Sequence, residues 1–457
     1  MSTAAWAPHG ARVLVTLGIA TAAVVTGGVV FGLASGSADL SGAMLVTPIL
    51  VLVTLPLLWR QAEREGNRRL FWVLFVALMA KLAGAVANYL VAFDLYGGVA
   101  DARLYQEQGT LLAGQFRAGD FDTGLPSLTG THFMFVLAGT VFTLIGTSPL
   151  GGFLVFSWIG FLGLFFFYRA FVIAVPEGKT RAYLPFVFFL PSLLFWPSSI
   201  GKEAWMLLSL GVIALGAAHL FSHRGWRGVG LSALGLWMAL TMRPHVAALA
   251  AIALAVGYLV GRPRRSGNPL APVGRLLVAA GLVAVSFLAV SEAQTFLEQS
   301  AVETEQGVVS VLEQTTERTQ IGGSEFSPSI LESPGRAPIA VITVLYRPLI
   351  MEAHNLQSAA AALEGTLLLV LTVIRFRWVL TAIRSIRRQP YVAMAVAYTG
   401  LFILAFSSFA NFGLLARERV QLLPFFIVLL SMPPRTEAQE LELRAGPQSP
   451  SADVEQL

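Results

Sequence analysis

Twelve apolar stretches, each closed by a short polar turn, dominate this sequence and leave few folds open to it. The hydrocarbon core of a bilayer is about 30 Å thick, so a helix needs roughly 20 apolar residues to cross it. Such stretches are read at 12–34, 42–59, 70–93, 151–173, 183–197, 204–221, 229–242, 245–262, 274–292, 358–375, 391–410 and 418–432. Several are short, which implies tilt or partial burial. The fold class expected is an all-α polytopic membrane protein of about twelve transmembrane helices plus one juxtamembrane or re-entrant helix. Charge content agrees. Only 12% of residues are charged and 55% are apolar, with mean hydropathy +0.70. A soluble domain carries about 25% charged residues. Lipid is the solvent for most of this chain.

Several function classes fall away at once. With no cysteine there is no disulfide, no cysteine metal site and no thiol catalysis. A net charge of +5 and a pI near 9.7 raise nucleic acid as a partner. The arginines, however, sit in short runs between apolar stretches and form no continuous basic face, so no nucleic-acid partner is expected. Loops obeying the positive-inside rule account for them. No cleavable signal is read, because Arg12 precedes a stretch longer than a signal core.

Topology turns on 132–147. If that stretch crosses, the loops bearing Arg224 and Arg227, then Arg262, Arg264, Arg265 and Arg275, then Arg377, Arg384, Arg387 and Arg388 all fall outside. If it lies along the membrane surface, they join Arg60, Arg64, Arg68, Arg69, Lys179 and Arg181 in the cytoplasm. The second choice satisfies the positive-inside rule throughout. It gives a transmembrane domain over 1–433 with both termini cytoplasmic, outer segments at 94–131 and 293–357, and a helix near 293–318. Residues 434–457, rich in Pro and polar groups, are expected to form a disordered cytoplasmic tail.

The chemistry-bearing residues then gather outside. Asp101 follows Gly97-Gly98 and opens a helical pattern, which suits a helix cap and equally a carboxylate held to accept a proton. Asp120 and Asp122 read as solvated acids. Lys202 and Glu203 follow a Trp-Pro-Ser-Ser break, where a restarting helix favours an anion. Arg243 and His245 flank Pro244. Arg347, Glu352 and His354 precede the tenth stretch, and Arg417, Glu418 and Arg419 open the last. Lys81 sits near the middle of the third stretch, where a charge costs roughly 2.5–3.5 kcal/mol on insertion scales. Its partner is not legible. No spacing suggests a metal site. One acid facing several cations is the chemistry of a phosphate leaving group met by positive charge while a carboxylate activates a hydroxyl.

The run from Asp101-Ala-Arg-Leu-Tyr105 through Tyr168-Arg169, with the late Arg417-Glu-Arg419-Val-Gln-Leu-Leu-Pro424, resembles the GT-C membrane glycosyltransferases of the dolichyl-phosphate-mannose and bacterial family 39 type. The order of spans is similar over most of the chain. The chain differs in two extra amino-terminal spans, in lacking the usual Asp-Glu pair, and in having no large soluble carboxy-terminal domain. The resemblance implies inverting sugar transfer from a polyprenyl-phosphate-linked donor to a glycan, lipid or protein acceptor, outside the cell membrane. It implies Asp101 as general base, and Lys202, Arg243, Arg419 and Arg417 on the lipid phosphate. Glu203, His245, Tyr105, Arg347 and His354 would contact the acceptor or support the site. Some such enzymes use a divalent metal, Mg or Mn. Two other readings stand beside it: an O-antigen-type polysaccharide polymerase or ligase working through its arginines, and a lipid-linked glycan transporter or flippase centred on Lys81.

Overall fold

Helices account for every regular element in a computed structural model of the protein, which describes residues 26–27, 36–95, 101–222, 225–260, 279–281, 337–353, 356–407, 409 and 411–434. The expected spans 12–34 and 274–292, all but a few residues, lie outside the described residues. So do the helix expected near 293–318, the basic loop 262–275, His354 and the tail from 435. Four described helices are long and apolar enough to cross a membrane, and a fifth joins them if one bent pair counts as a single span.

The first two, α1 (Ala38–Arg64) and α2 (Arg68–Leu90), form an antiparallel pair; α2 is prolonged by a π-turn over Val91–Leu95. An amphipathic helix α3 (Asp101–Arg117) folds back on α4 (Gly130–Ile145), and the long α5 (Pro149–Ala174) follows. Three helix ends meet at Asp39, in the first turn of α1. Its carboxylate accepts from Tyr89 Oη at the end of α2 (2.8 Å), and from Ser148 Oγ (2.7 Å) and Leu150 N (2.9 Å) at the start of α5. The chain therefore leaves α2 and enters α5 at the same end of the bundle. The α3–α4 hairpin thus begins and ends at that one end. At the opposite end Tyr168 Oη, near the end of α5, donates to Glu65 just beyond α1 (2.9 Å).

The next expected span, 183–197, is not one helix. It is α6 (Thr180–Phe189), α7 (Pro191–Phe195) and a 3-10 turn over Trp196–Ser198. Pro191 and Pro197 explain the breaks, since proline donates no hydrogen bond and its ring clashes with the preceding turn. From there α8 (Lys202–Phe221) runs parallel to α5, and α9 (Gly225–Met242) returns beside it. Glycines bring these three helices into backbone contact. A β-carbon at Gly163 would lie 2.5 Å from the Leu207 carbonyl oxygen, one at Gly211 2.4 Å from that of Gly163, and one at Gly216 2.5 Å from Ser232 N.

Pro244 starts α10 (Pro244–Val260), which packs along α14 (Pro390–Phe406). Between them in sequence come α11 (Ala337–Tyr346), α12 (Leu356–Ile374) and α13 (Phe376–Ser385), the last bent 70° from α12. The end of the expected outer segment 293–357 is thus the apolar helix α11, with Ala340, Val344, Leu345 and Tyr346 buried. The last expected span, 418–432, is also broken, into α15 (Phe412–Arg419) and α16 (Leu423–Leu429).

The two ends of this bundle differ in chemistry. One carries Arg60, Arg64, Arg68, Arg69, Lys179, Arg181, Arg227, Arg384, Arg387 and Arg388. The other, the Asp39 end, receives the starts of α8 and α10, the end of α9, the hairpin and α15. The hairpin leaves an apolar groove of about 350 Å³ lined by Phe116, Phe121, Leu128, Val136 and Leu144 among others. Apolar side chains so exposed suit contact with lipid.

Candidate functional site

Glu203 stands in the first turn of α8, and its Oε1 is the pivot of the Asp39 end. It accepts from Arg417 Nε at 2.7 Å and from Arg243 Nη2 at 2.9 Å. Glycine at 201 makes room, because a β-carbon there would lie 2.9 Å from Glu203 Oε2. Arg243 fills the break between α9 and α10 and also donates to Glu418 Oε2. Glu418 accepts in turn from Gln421 Nε2 at 2.6 Å. At the outer edge Arg417 Nη1 donates to Asp101 Oδ2 at 2.8 Å. The result is a line of alternating charge, Asp101–Arg417–Glu203–Arg243–Glu418, assembled from three helices and one turn.

The line runs from the surface inward. The side chain of Asp101 is 58% exposed and that of Arg417 21%, whereas Glu203 is 2% exposed and Arg243 and Glu418 10% each. Charges this deep persist only when paired, since removing one partner strands the other in a low-dielectric interior. Arg243 is therefore fully committed to two carboxylates, and its expected role on a phosphate is not one this geometry offers. Lys202 differs. Its Nζ donates to the neutral hydroxyl of Thr131 on α4, at 2.9 Å. His245, in the first turn of α10, is buried near the charges of Arg243 and Lys202. Tyr105, one turn along α3 from Asp101, is buried as well. Burial first, then the negative charges of Asp101 and Glu203, pushes its hydroxyl up to about 12, so it stays protonated at physiological pH.

No family model, no curated protein and no solved structure matches this chain. The site must be read from its own geometry.

Arg419 lies apart from the line. Successive residues of a helix point about 100° from one another, so α15 aims Arg417, Glu418 and Arg419 in three directions. Asn411 fixes that register, its Oδ1 capping the amides of Gly413 (2.9 Å) and Leu414 (3.2 Å). Arg419 is buried and donates through Nη2 to the Arg347 carbonyl; its Nε has no hydrogen-bond partner among the described residues. Arg347 itself pairs with Glu352 (Nε–Oε1 2.9 Å) and stacks 5.0 Å over the Phe412 ring. Arg347 and Arg419 thus belong to a second polar group behind α15.

Lys81 has an answer that no side-chain inventory predicts. Its Nζ donates to the Leu193 carbonyl at 2.6 Å, and Asn88, two turns along α2, donates to the Phe195 carbonyl at 2.9 Å. Gly84 between them lets α2 approach, since a β-carbon there would sit 2.4 Å from the Leu194 carbonyl. At the other end of α7, Glu364 of α12 accepts from Ser192 N (2.6 Å) and Ser192 Oγ (2.5 Å). An acid at the amino end and a lysine with a neutral amide donor at the carboxyl end suit the dipole of a short helix. They also satisfy backbone groups that lipid cannot.

Gln421, Thr131 and Glu364 were not legible in the sequence as supporting residues. Glu418 was conspicuous between two arginines, but its ion-pair partner is Arg243. Among the described residues no group of three His, Cys, Asp or Glu side chains is placed to hold a metal ion. Hard divalent ions take several oxygen ligands, whereas Glu203 and Glu418 are each engaged by arginine. The donor set does not fit Mg or Mn.

Proposed function

We propose that the protein is a GT-C-type glycosyltransferase that moves a sugar from a polyprenyl-phosphate carrier to an acceptor hydroxyl on the extracytoplasmic face of the cell membrane. The observation that supports this best is the meeting of Asp101 and Arg417 at 2.8 Å, with Lys202 beside Glu203, at the end of the bundle opposite the basic loops. The positive-inside rule then puts those loops in the cytoplasm and the charge line outside. Twelve spans, with both termini cytoplasmic, complete this topology.

In the reaction the acceptor oxygen attacks the anomeric carbon and the bond from that carbon to the phosphate oxygen breaks. The electron pair leaves with the phosphate, met by Lys202 and Arg417. The acceptor proton passes to a carboxylate oxygen of Asp101. Attack opposite the leaving group inverts the anomeric centre. Arg243, Glu203 and Glu418 hold Arg417 in place from behind. General-base assistance of this kind contributes typically 10²–10⁴-fold.

The test is transfer from radiolabelled polyprenyl-phosphate sugars in proteoliposomes. Wild type transfers label; Asp101→Asn loses it while remaining folded. Survival of Asp101→Asn with failure of Arg243 or Arg347 variants would move the assignment to an arginine-dependent polysaccharide polymerase or ligase. Binding without turnover, sensitive at Lys81 and not at Asp101, would move it to a lipid-linked glycan transporter.

A further inference from the structure

We infer that Lys202 and Arg417 form a single site for a phosphate headgroup, and that Asp101 is the resident counter-ion which the headgroup displaces. That the anion is a lipid phosphate rests on the transferase reading; that it competes with Asp101 rests on the geometry.

Four observations carry this. Arg417 is the outer of the two arginines in the line, at 21% exposure against 10% for Arg243. Its Nε is held from behind by Glu203, so the guanidinium presents its remaining donors toward Asp101. Asp101 reaches it from a different element, on an amphipathic helix at the rim, and is itself 58% exposed. Lys202, next to Glu203 in sequence, donates to the neutral Thr131 hydroxyl and pairs with no carboxylate among the described residues, so it brings a positive charge not held in an ion pair.

With all six groups ionised, Arg243, Arg417 and Lys202 balance Asp101, Glu203 and Glu418. A charged headgroup entering such a balanced site must displace a negative group. Glu203 and Glu418 are buried and doubly engaged, which leaves Asp101. An exposed ion pair of this kind adds less than about fivefold to a binding constant. A sugar-linked lipid phosphate offers one full charge shared over two free oxygens to both the guanidinium fork and Lys202, where Asp101 meets Arg417 alone, and wins that exchange. The displaced carboxylate is then unpaired, beside the leaving group, and able to take a proton. Donor binding thus precedes base release, which makes the order of addition donor first and acceptor second.

Binding, not turnover, tests this. Full-length protein in nanodiscs of neutral lipid is titrated with a polyprenyl monophosphate and, separately, with inorganic phosphate. Asp101→Asn tightens binding about two- to fivefold. Lys202→Met and Arg417→Met weaken it tenfold or more. Glu107→Gln, which breaks an exposed pair with Arg103 on the same helix, leaves it unchanged. Where Arg417→Met does not fold, Arg417→Lys keeps the charge, loses the fork and still weakens binding. Equal or weaker binding by Asp101→Asn overturns the proposal, as does binding of neither probe by wild type. Inorganic phosphate bound with this order of variants, and the polyprenyl phosphate not bound, keeps the displacement and removes the lipid-linked donor.

Discussion

At the Asp39 end, Asp101, Arg417, Glu203, Arg243 and Glu418 bond to one another, side chain to side chain, whereas midway along the bundle Lys81, Asn88 and Glu364 bond to the backbone of α7. Both groups bury charge within the helical bundle. Only the first reaches solvent, and only the first can exchange a partner without uncapping a helix. Charge within a membrane is commonly taken as a mark of function. The difference between the two groups shows that the kind of partner is the better guide: carbonyl and amide partners mark scaffolding, and mutually paired side chains leading to the surface mark a site.

That contrast can be broken at either end. Arg243→Met has the largest expected effect. It leaves Glu203 with Arg417 alone and takes from Glu418 its ion-pair partner among the described residues. The change costs about 3–5 kcal/mol and abolishes transfer, the first read by thermal unfolding in detergent and the second by the proteoliposome assay. Asp101→Asn follows, with transfer down roughly 10²–10⁴-fold and a stability change under about 1 kcal/mol. Lys81→Met leaves the Leu193 carbonyl unsatisfied and costs about 1–3 kcal/mol, with turnover per folded molecule unchanged. A Lys81→Met protein of full stability and no transfer would erase the distinction between scaffold and site. Smallest is Arg103→Gln, which removes the exposed pair with Glu107 and shifts stability by less than about 0.5 kcal/mol.

The helices were legible because apolar length and proline carry their own signal. Charge bias alone suggested that 132–147 does not cross, and the Asp39 junction places the end of α2 and the start of α5 together. The break at Pro197 was legible as the end of a span, whereas the one at Pro191 was written in the sequence but masked by the apolar residues around it, which read as one span. Asp101, Lys202, Glu203 and Arg243 were legible as polar exceptions at helix ends. The division of Arg417 from Arg419 was not, because although Asn411 caps α15 locally, which neighbours each face of that helix meets depends on tertiary packing. Lys81 was conspicuous and its partner invisible, since any residue type supplies a carbonyl.

The glycine contacts that join α5, α8 and α9 bear on mechanics. With backbones touching at Gly163, Gly211 and Gly216, α8 has no side-chain cushion along which to slide. Lys202 and Glu203 at its tip are therefore expected to keep their places. Whatever stroke accompanies turnover then falls to α3 and α15, which reach that tip through side chains. A label on α3 should report motion where one on α8 reports none.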